Sequence, residues 1–221
     1  MPPYQLVIFD CDGVLVDSER ITNQVFADML GEHGLTFTLE DMYEQFVGHS
    51  MAHCLDKITT MLGKPPPPDF VAIYRARSER ALQAQVTPVP GIEQALDQIA
   101  LQLAIPWCVA SNGKHDKMRL TLGLTGLLPR FEGRLFSGSE VARPKPAPDI
   151  FLHAAGRCGV APGDCVVVED TPTGVAAAIA AGMTTLGYAG LTPPHRLQAA
   201  GAHHVFDRMT DLPHLLRTGG A

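Results

Sequence analysis

Five short apolar runs constrain the fold of this 221-residue chain more than any other feature of its sequence. They are rich in β-branched residues and lack the apolar–polar alternation of a strand with one solvent-facing side. Such runs are typical of the strands of a parallel sheet, which is covered on both faces. The runs are Leu6–Phe9, Trp107–Ala110, Cys165–Val168, Thr184–Tyr188 and His203–Phe206.

Segments of helical period lie between these runs. Apolar residues recur every three or four positions from Ile92 to Leu103. An alanine-rich segment from Val175 to Ala181 ends before Gly182, a typical C-cap. Strands that alternate with helices form βαβ units. We therefore predict an α/β fold with a doubly wound, Rossmann-like parallel sheet.

One connection is too long for a single crossover between strands. No buried strand is evident from Asp17 to Pro88, whereas helical spacing recurs in four segments, the last two separated by Pro65–Pro68. We predict that residues 17–87 form a helical domain inserted into an α/β domain made of residues 1–16 and 88–221.

Composition excludes several classes of protein. The net charge of −6 argues against nucleic-acid binding, which normally needs a basic surface. No segment reaches the ~18 uncharged apolar residues that span a bilayer. The five cysteines form no C-x-x-C pair, as expected of free thiols in a reducing compartment. No signal peptide is evident. We expect a cytoplasmic monomer that binds neither membranes nor nucleic acid.

Polar residues that follow the strands are the candidates for a site, because doubly wound sheets bind ligands at the carboxyl ends of their strands. Lys145 lies between two prolines, upstream of the third run. The other candidates are Asp10 and Asp12 after the first run, Ser111 and Asn112 after the second, and Glu169 and Asp170 after the third.

This set of residue types predicts phosphoryl transfer. Several carboxylates at one sheet edge repel each other unless a cation joins them, and all-oxygen ligands favour Mg²⁺. Lys145 adds a positive charge for a phosphate, and Ser111 and Asn112 add neutral donors. One carboxylate could attack phosphorus while a second moves the proton.

These segments resemble, in order and spacing, the four motifs of the haloacid dehalogenase-like superfamily. The segment 9–19 is similar to the first motif in the subgroup that contains β-phosphoglucomutase and phosphoglycolate-type phosphatases. Ser111 matches the second motif, Lys145 the third, and Glu169 with Asp170 the fourth. The predicted helical insertion lies where that subgroup carries a cap domain.

The resemblance implies a role for each matching residue. Asp10 would be the nucleophile and a Mg²⁺ ligand, and Asp12 would move the proton and lend its backbone carbonyl to the metal. Asp170 would bind the metal directly, and Glu169 through a water. The phosphoryl group would be held by Ser111, Asn112 and Lys145. Asp12 argues against a dehalogenase, because dehalogenases of this superfamily lack an acid there.

The turn before the third insertion helix is a further candidate, since in this subgroup a cap turn at this place faces the active site. His49 or Ser50 would then contact the substrate; the alternative is an ordinary turn with Ser50 as the helix N-cap. His49 and His53 are spaced like a helical metal pair, but no third ligand is evident.

Hydrolysis is favoured over mutase activity. β-Phosphoglucomutases carry a histidine soon after the first motif, where this chain has Thr22 and Asn23, and a cap-turn arginine, where it has Met51. We therefore predict a magnesium-dependent phosphatase acting on a small organic phosphate, such as a sugar phosphate, a sugar-acid phosphate or phosphoglycolate. A phosphosugar mutase, a pyrophosphatase and a non-catalytic phosphate-binding module are the alternatives.

Overall fold

The computed structural model describes residues 3–47, 49 and 51–219, and these residues form an α/β structure. The strands are β1 (Leu6–Phe9), β2 (Trp107–Ser111), β3 (Leu135–Ser137), β4 (Cys165–Glu169), β5 (Thr184–Tyr188) and β6 (His204–Phe206). The helices are α1 (Ser18–Glu32), α2 (Leu39–Gln45), α3 (Met51–Leu62), α4 (Phe70–Gln85), α5 (Ile92–Gln98), α6 (His115–Leu124), α7 (Leu128–Phe131), α8 (Asp149–Cys158), α9 (Pro172–Ala180), α10 (Pro194–Ala199) and α11 (Leu212–Thr218).

The six strands form one parallel sheet in the order β3-β2-β1-β4-β5-β6. Its register aligns Phe9 of β1 with Val109 of β2 and with Val168 of β4. The carboxyl ends of these three strands therefore lie side by side. The order of strands reverses between β1 and β4, where a doubly wound sheet opens a crevice for ligands.

All five predicted runs are strands, and the predicted α/β fold is confirmed. The sequence reading missed β3, a strand of three residues at one edge of the sheet. Three residues are too few to show a periodicity. The helical segment predicted from Ile92 is also less regular than expected, since α5 continues as a π-helical turn over Ile99–Leu103.

The sheet buries its strands on both faces, as the unbroken apolar runs require. Leu6 and Ile8 of β1 pack with Phe151 of α8 and Ala177 of α9 in one core cluster. Thr171 is the N-cap of helix α9, and its hydroxyl accepts a hydrogen bond from the backbone N–H of Gly174.

The chain divides into two compact units, one of Met1–Asp17 with Thr87–Ala221 and the other Ser18–Val86. The second unit consists of α1 to α4 and has its own apolar cluster. Phe26 lies at its centre, with ring centroids 5.6 Å from Phe46, 5.9 Å from Phe70 and 5.0 Å from Tyr74.

No helix within residues 3–47 or 51–219 has both the length and the apolar character needed to cross a membrane. Each of the five cysteines is a free thiol; four are buried, and Cys158 is half-buried.

Candidate active site

The turn after β1 carries Asp10 and Asp12 at the crevice. Asp10 is buried and follows β1 directly; its backbone N–H donates to the carbonyl of Val168 in β4. Gly13 has a φ of +83°, and a Cβ at this position would lie 2.0 Å from Oδ2 of Asp170. The carboxylate of Asp170 therefore lies against the backbone of this turn, in space that any side chain at position 13 would fill.

Lys145 reaches the centre of the site as a buried ammonium. Its Nζ donates to Oδ1 of Asp10, and also to Oε1 of Glu169 at 2.7 Å. Only 4% of the Lys145 side chain is exposed, so this cation can be tolerated because it is paired with two carboxylates. Lys145 thus joins the end of β1 to the end of β4.

Asn112 holds the backbone around Lys145 in place. Its amide oxygen accepts the backbone N–H of Lys145 at 2.9 Å, and its amide nitrogen donates to the Lys145 carbonyl at 3.3 Å. The neighbouring Ser111 is buried, and its hydroxyl accepts the backbone N–H of Gly113 at 3.0 Å. The segment after β2 therefore supports the loop that carries the lysine.

Glu169 holds two parts of the site: the ammonium of Lys145 and the start of α9. Its Oε2 accepts hydrogen bonds from the backbone N–H of Asp170, the backbone N–H of Thr171 and the Thr171 hydroxyl, each at 3.0 Å. A Cβ at Gly174 would lie 1.8 Å from Oε1 of Glu169, so the first turn of α9 leaves room for this carboxylate. Both oxygens of Glu169 have partners within the protein.

A second lysine contacts the site from α6. Nζ of Lys117 lies 2.8 Å from Oδ2 of Asp12. The Lys117 side chain is 39% exposed and that of Asp12 is 14% exposed, so this ion pair is nearer the surface than the Lys145 pairs.

The charges of the site shift the pKa values of its central pair. The pKa of Asp10 is raised to about 7 as the net result of several causes: burial raises it most, the Lys145 ammonium lowers it, and the carboxylates of Glu169 and Asp12 raise it. Burial alone would lower the pKa of Lys145, but Asp10 and Glu169 raise it above its usual value, so Lys145 is charged. The site therefore concentrates negative charge around Asp10.

The sequence matches a known protein family. The family model of haloacid dehalogenase-like hydrolases matches residues 4–182. The chain belongs to the haloacid dehalogenase-like hydrolases. It is 30% identical to a 6-phosphogluconate phosphatase from Escherichia coli over 221 residues, which cover 100% of this chain and 98% of that protein.

Solved structures of haloacid dehalogenase-like proteins have a similar fold. A conserved protein of unknown function from Agrobacterium tumefaciens superposes with a TM-score of 0.92 at 36% identity, covering 99% of this chain and 100% of that chain. A family hydrolase from Deinococcus radiodurans, solved with bound phosphate and sodium, has a TM-score of 0.85 at 32% identity, covering 100% and 98%.

The donors of this haloacid dehalogenase-like site fit a hard cation. Among the described residues, no three His, Cys, Asp or Glu side chains form a metal site by themselves. Mg²⁺ needs fewer than three such side chains, because it commonly keeps several waters and binds through one or two carboxylates and a phosphate. The gap at Gly13 places the Asp170 carboxylate against the turn that carries Asp10 and the backbone carbonyl of Asp12. A cation here would also offset the carboxylate repulsion that raises the pKa of Asp10.

Of the two candidate residues before α3, His49 lies in the helical unit. His49 is exposed, and its ring stacks on that of His53 with centroids 4.4 Å apart. Ser50 lies outside the described residues. Substrate contact by His49 or Ser50 stays a prediction, as do the roles implied for the motif residues.

Sequence reasoning missed two residues that contact the site. The first is Lys117, at the third position of α6. A cation is unfavourable near a helix N-terminus, so its position is itself a signal of a local acidic partner. The second is Ser137, at the end of β3, whose hydroxyl donates to the carbonyl of Gly113 at 2.7 Å.

Proposed function

We propose that this protein is a phosphoric monoester hydrolase that acts on a small phosphorylated metabolite through an aspartyl-phosphate on Asp10. The observation that carries the proposal is the buried Asp10, which directly follows the central strand β1 and is paired with the buried ammonium of Lys145. Membership of a hydrolase family and similarity to a phosphatase across the whole chain support it.

In the first step, a carboxylate oxygen of Asp10 attacks the phosphorus of the substrate. A bond forms between that oxygen and phosphorus, the bond from phosphorus to the substrate oxygen breaks, and Asp12 gives its proton to the departing alcohol. Because Lys145 holds Oδ1 of Asp10, we assign the attack to Oδ2. Lys145 and the Ser111 hydroxyl stabilise the charge of the phosphoryl group.

In the second step, water hydrolyses the aspartyl-phosphate. Its oxygen attacks phosphorus while the Asp12 carboxylate takes a proton from it, and the bond between phosphorus and Asp10 breaks. Inorganic phosphate leaves and Asp10 returns as a carboxylate. The two steps together consume one water and release one alcohol and one phosphate.

Asp10, Asp170 and the backbone carbonyl of Asp12 are the groups that we propose to hold Mg²⁺. The ion, when bound, would neutralise charge on the phosphoryl oxygens. Glu169 was predicted to bind the metal through a water, but its partners favour a different role. It holds Lys145 and the start of α9.

Sugar phosphates and sugar-acid phosphates are the substrate class that we propose. The support is the similarity to the Escherichia coli relative, which is a 6-phosphogluconate phosphatase. The helical unit 18–86 would serve as a cap that restricts the site to small substrates. Hydrolysis is favoured over mutase activity because Thr22 and Asn23 stand where a β-phosphoglucomutase has its histidine.

The replacement Asp10→Asn tests the nucleophile. It keeps the size of the side chain and removes the attacking carboxylate, so phosphate release from p-nitrophenyl phosphate and 6-phosphogluconate should fall to background. EDTA should have the same effect on the unmodified enzyme, and added Mg²⁺ should restore activity. The exposed Asp116→Asn, which removes the same charge from α6, serves as the control. Full activity in Asp10→Asn would refute the mechanism.

A further inference from the structure

Lys117 forms an ion pair with Asp12, the residue that moves protons in the proposed reaction. We infer that Lys117 is a positioning residue that holds the Asp12 carboxylate for hydrolysis of the aspartyl-phosphate. This inference rests on the proposed function, because it gives Lys117 a task only in the second step of that reaction.

The surroundings of Gly113 show how close this ion pair lies to the phosphoryl-binding groups. A Cβ built on Gly113 would be 3.2 Å from the Ser111 hydroxyl oxygen, 3.7 Å from Oδ2 of Asp12 and 3.9 Å from Cδ of Lys117. These three side chains therefore converge on one small residue. Lys117 approaches Asp12 on the side where Ser111 also lies.

Helix stability does not explain the position of Lys117. It is the third residue of α6, where the positive end of the helix dipole disfavours a cation. A partly exposed ion pair stabilises a folded protein by only about 0–1 kcal/mol. Lys117 therefore lies where it benefits the helix little, within hydrogen-bond distance of a carboxylate of the site.

The two lysines of the site hold different carboxylates. Lys145 holds Asp10 and Glu169, whereas Lys117 holds Oδ2 of Asp12. The contact with Lys117 fixes the orientation of the Asp12 carboxylate. Proton transfer requires the base within hydrogen-bond reach of the water, so a carboxylate that rotates away loses rate in this step.

The replacement Lys117→Met removes the ammonium and keeps most of the aliphatic chain. With p-nitrophenyl phosphate, whose leaving group needs no proton, first-turnover release of p-nitrophenol should stay close to the wild-type rate. Steady-state kcat should fall about 10- to 100-fold, as expected for a displaced catalytic group. An initial burst of p-nitrophenol should appear, and acid-quenched protein should show the mass of the phosphorylated enzyme.

Three further variants make the result specific. Arg119→Met removes the same charge from an exposed position of α6 and should leave the kinetics unchanged. Lys117→Arg keeps an ion pair and should restore most of kcat. Lys117→Gln also removes the charge and should show the same kinetics as Lys117→Met. It therefore tests the same point if Lys117→Met does not fold.

A double-mutant cycle decides whether Lys117 acts through Asp12. In an Asp12→Ala background, Lys117→Met should cause no further loss of kcat. Wild-type kinetics in Lys117→Met, or losses that add to those of Asp12→Ala, would overturn the inference while leaving an Asp10-dependent phosphatase intact. If Asp10→Asn is fully active, the proposed function fails first and the inference falls with it.

Discussion

At the scale of single residues, two glycines allow carboxylates to approach the backbone of the site. A Cβ at Gly13 would overlap the Asp170 carboxylate, and a Cβ at Gly174 would overlap that of Glu169. Neither glycine carries chemistry of its own. Each fixes where an acidic side chain can lie, so both control the geometry of the site without contacting the substrate.

The replacement Gly13→Ala should abolish most activity. It strains a backbone with a φ of +83° and drives a methyl group to 2.0 Å from Oδ2 of Asp170, which must move. A displacement of about 1 Å can cost about 100-fold in rate. The matched control is Gly126→Ala, where φ is +73° and a Cβ would meet nothing within 4 Å.

The control separates backbone strain from displacement of the carboxylate. Both variants should lose about 1–2 kcal/mol of stability through a left-handed alanine. Only Gly13→Ala should lose kcat/KM. Equal activity in the two variants would contradict the importance of the contact with Asp170.

Individual residues of the site could be predicted from the sequence where they follow a clear run of buried β-branched residues. Asp10 and Glu169 come directly after buried β-branched runs, and the structure places both beside Lys145. Lys117 was not found because its partner lies 105 residues away in sequence, and only the three-dimensional fold brings them together. The two hydrogen bonds between the Asn112 side chain and the Lys145 backbone, one accepted and one donated by Asn112, could not be predicted from sequence patterns either.

At the scale of elements, the short edge strand β3 contributes no predicted site residue but holds the loop after β2 in place. Ser137, its last residue, donates its hydroxyl to the carbonyl of Gly113, and its backbone N–H donates to Glu140. The loop after β2 is thus held by an element that sequence periodicity cannot detect. Longer elements were predictable because each presents a full run of buried residues, and α9 also because Thr171 and Pro172 begin it.

The replacement Ser137→Ala tests this support. Ser137 is fully buried, and losing its hydroxyl removes a partner from the Gly113 carbonyl, which should cost about 1–3 kcal/mol of stability. Activity should also fall, since this loop follows Ser111 directly and carries Asn112. Urea unfolding and kcat/KM measure the two effects. Ser139→Ala is the control: its exposed hydroxyl lies 2.9 Å from that of Ser137, and its loss leaves the bond from Ser137 to the Gly113 carbonyl in place. Equal stability of both variants would show that β3 does not support the loop.

At the scale of the whole molecule, the site holds four carboxylates and two ammonium groups at one edge of the sheet, in a chain of net charge −6. Such a concentration of negative charge destabilises the folded protein unless a cation is bound. The α/β architecture was predictable because alternation of buried strands and helices extends along most of the chain. The charge balance of the site was not, because it depends on which side chains meet at the crevice.

The replacement Asp170→Asn should separate metal binding from folding. In the wild-type protein, Mg²⁺ that binds only the folded state at 100 times its dissociation constant should add about 2.7 kcal/mol of stability, seen as a rise in melting temperature. Asp170→Asn removes a proposed ligand and should lose most of this rise. In EDTA the same variant should melt at or above the wild-type temperature, because one of the crowded negative charges is gone. Asp207→Asn, at the same carboxyl end of the sheet but directly after β6, two strands from β4, should keep the full response to Mg²⁺. A full response in Asp170→Asn would remove Asp170 from the proposed metal site, while leaving the assignment of Asp10 to be decided by its own variant.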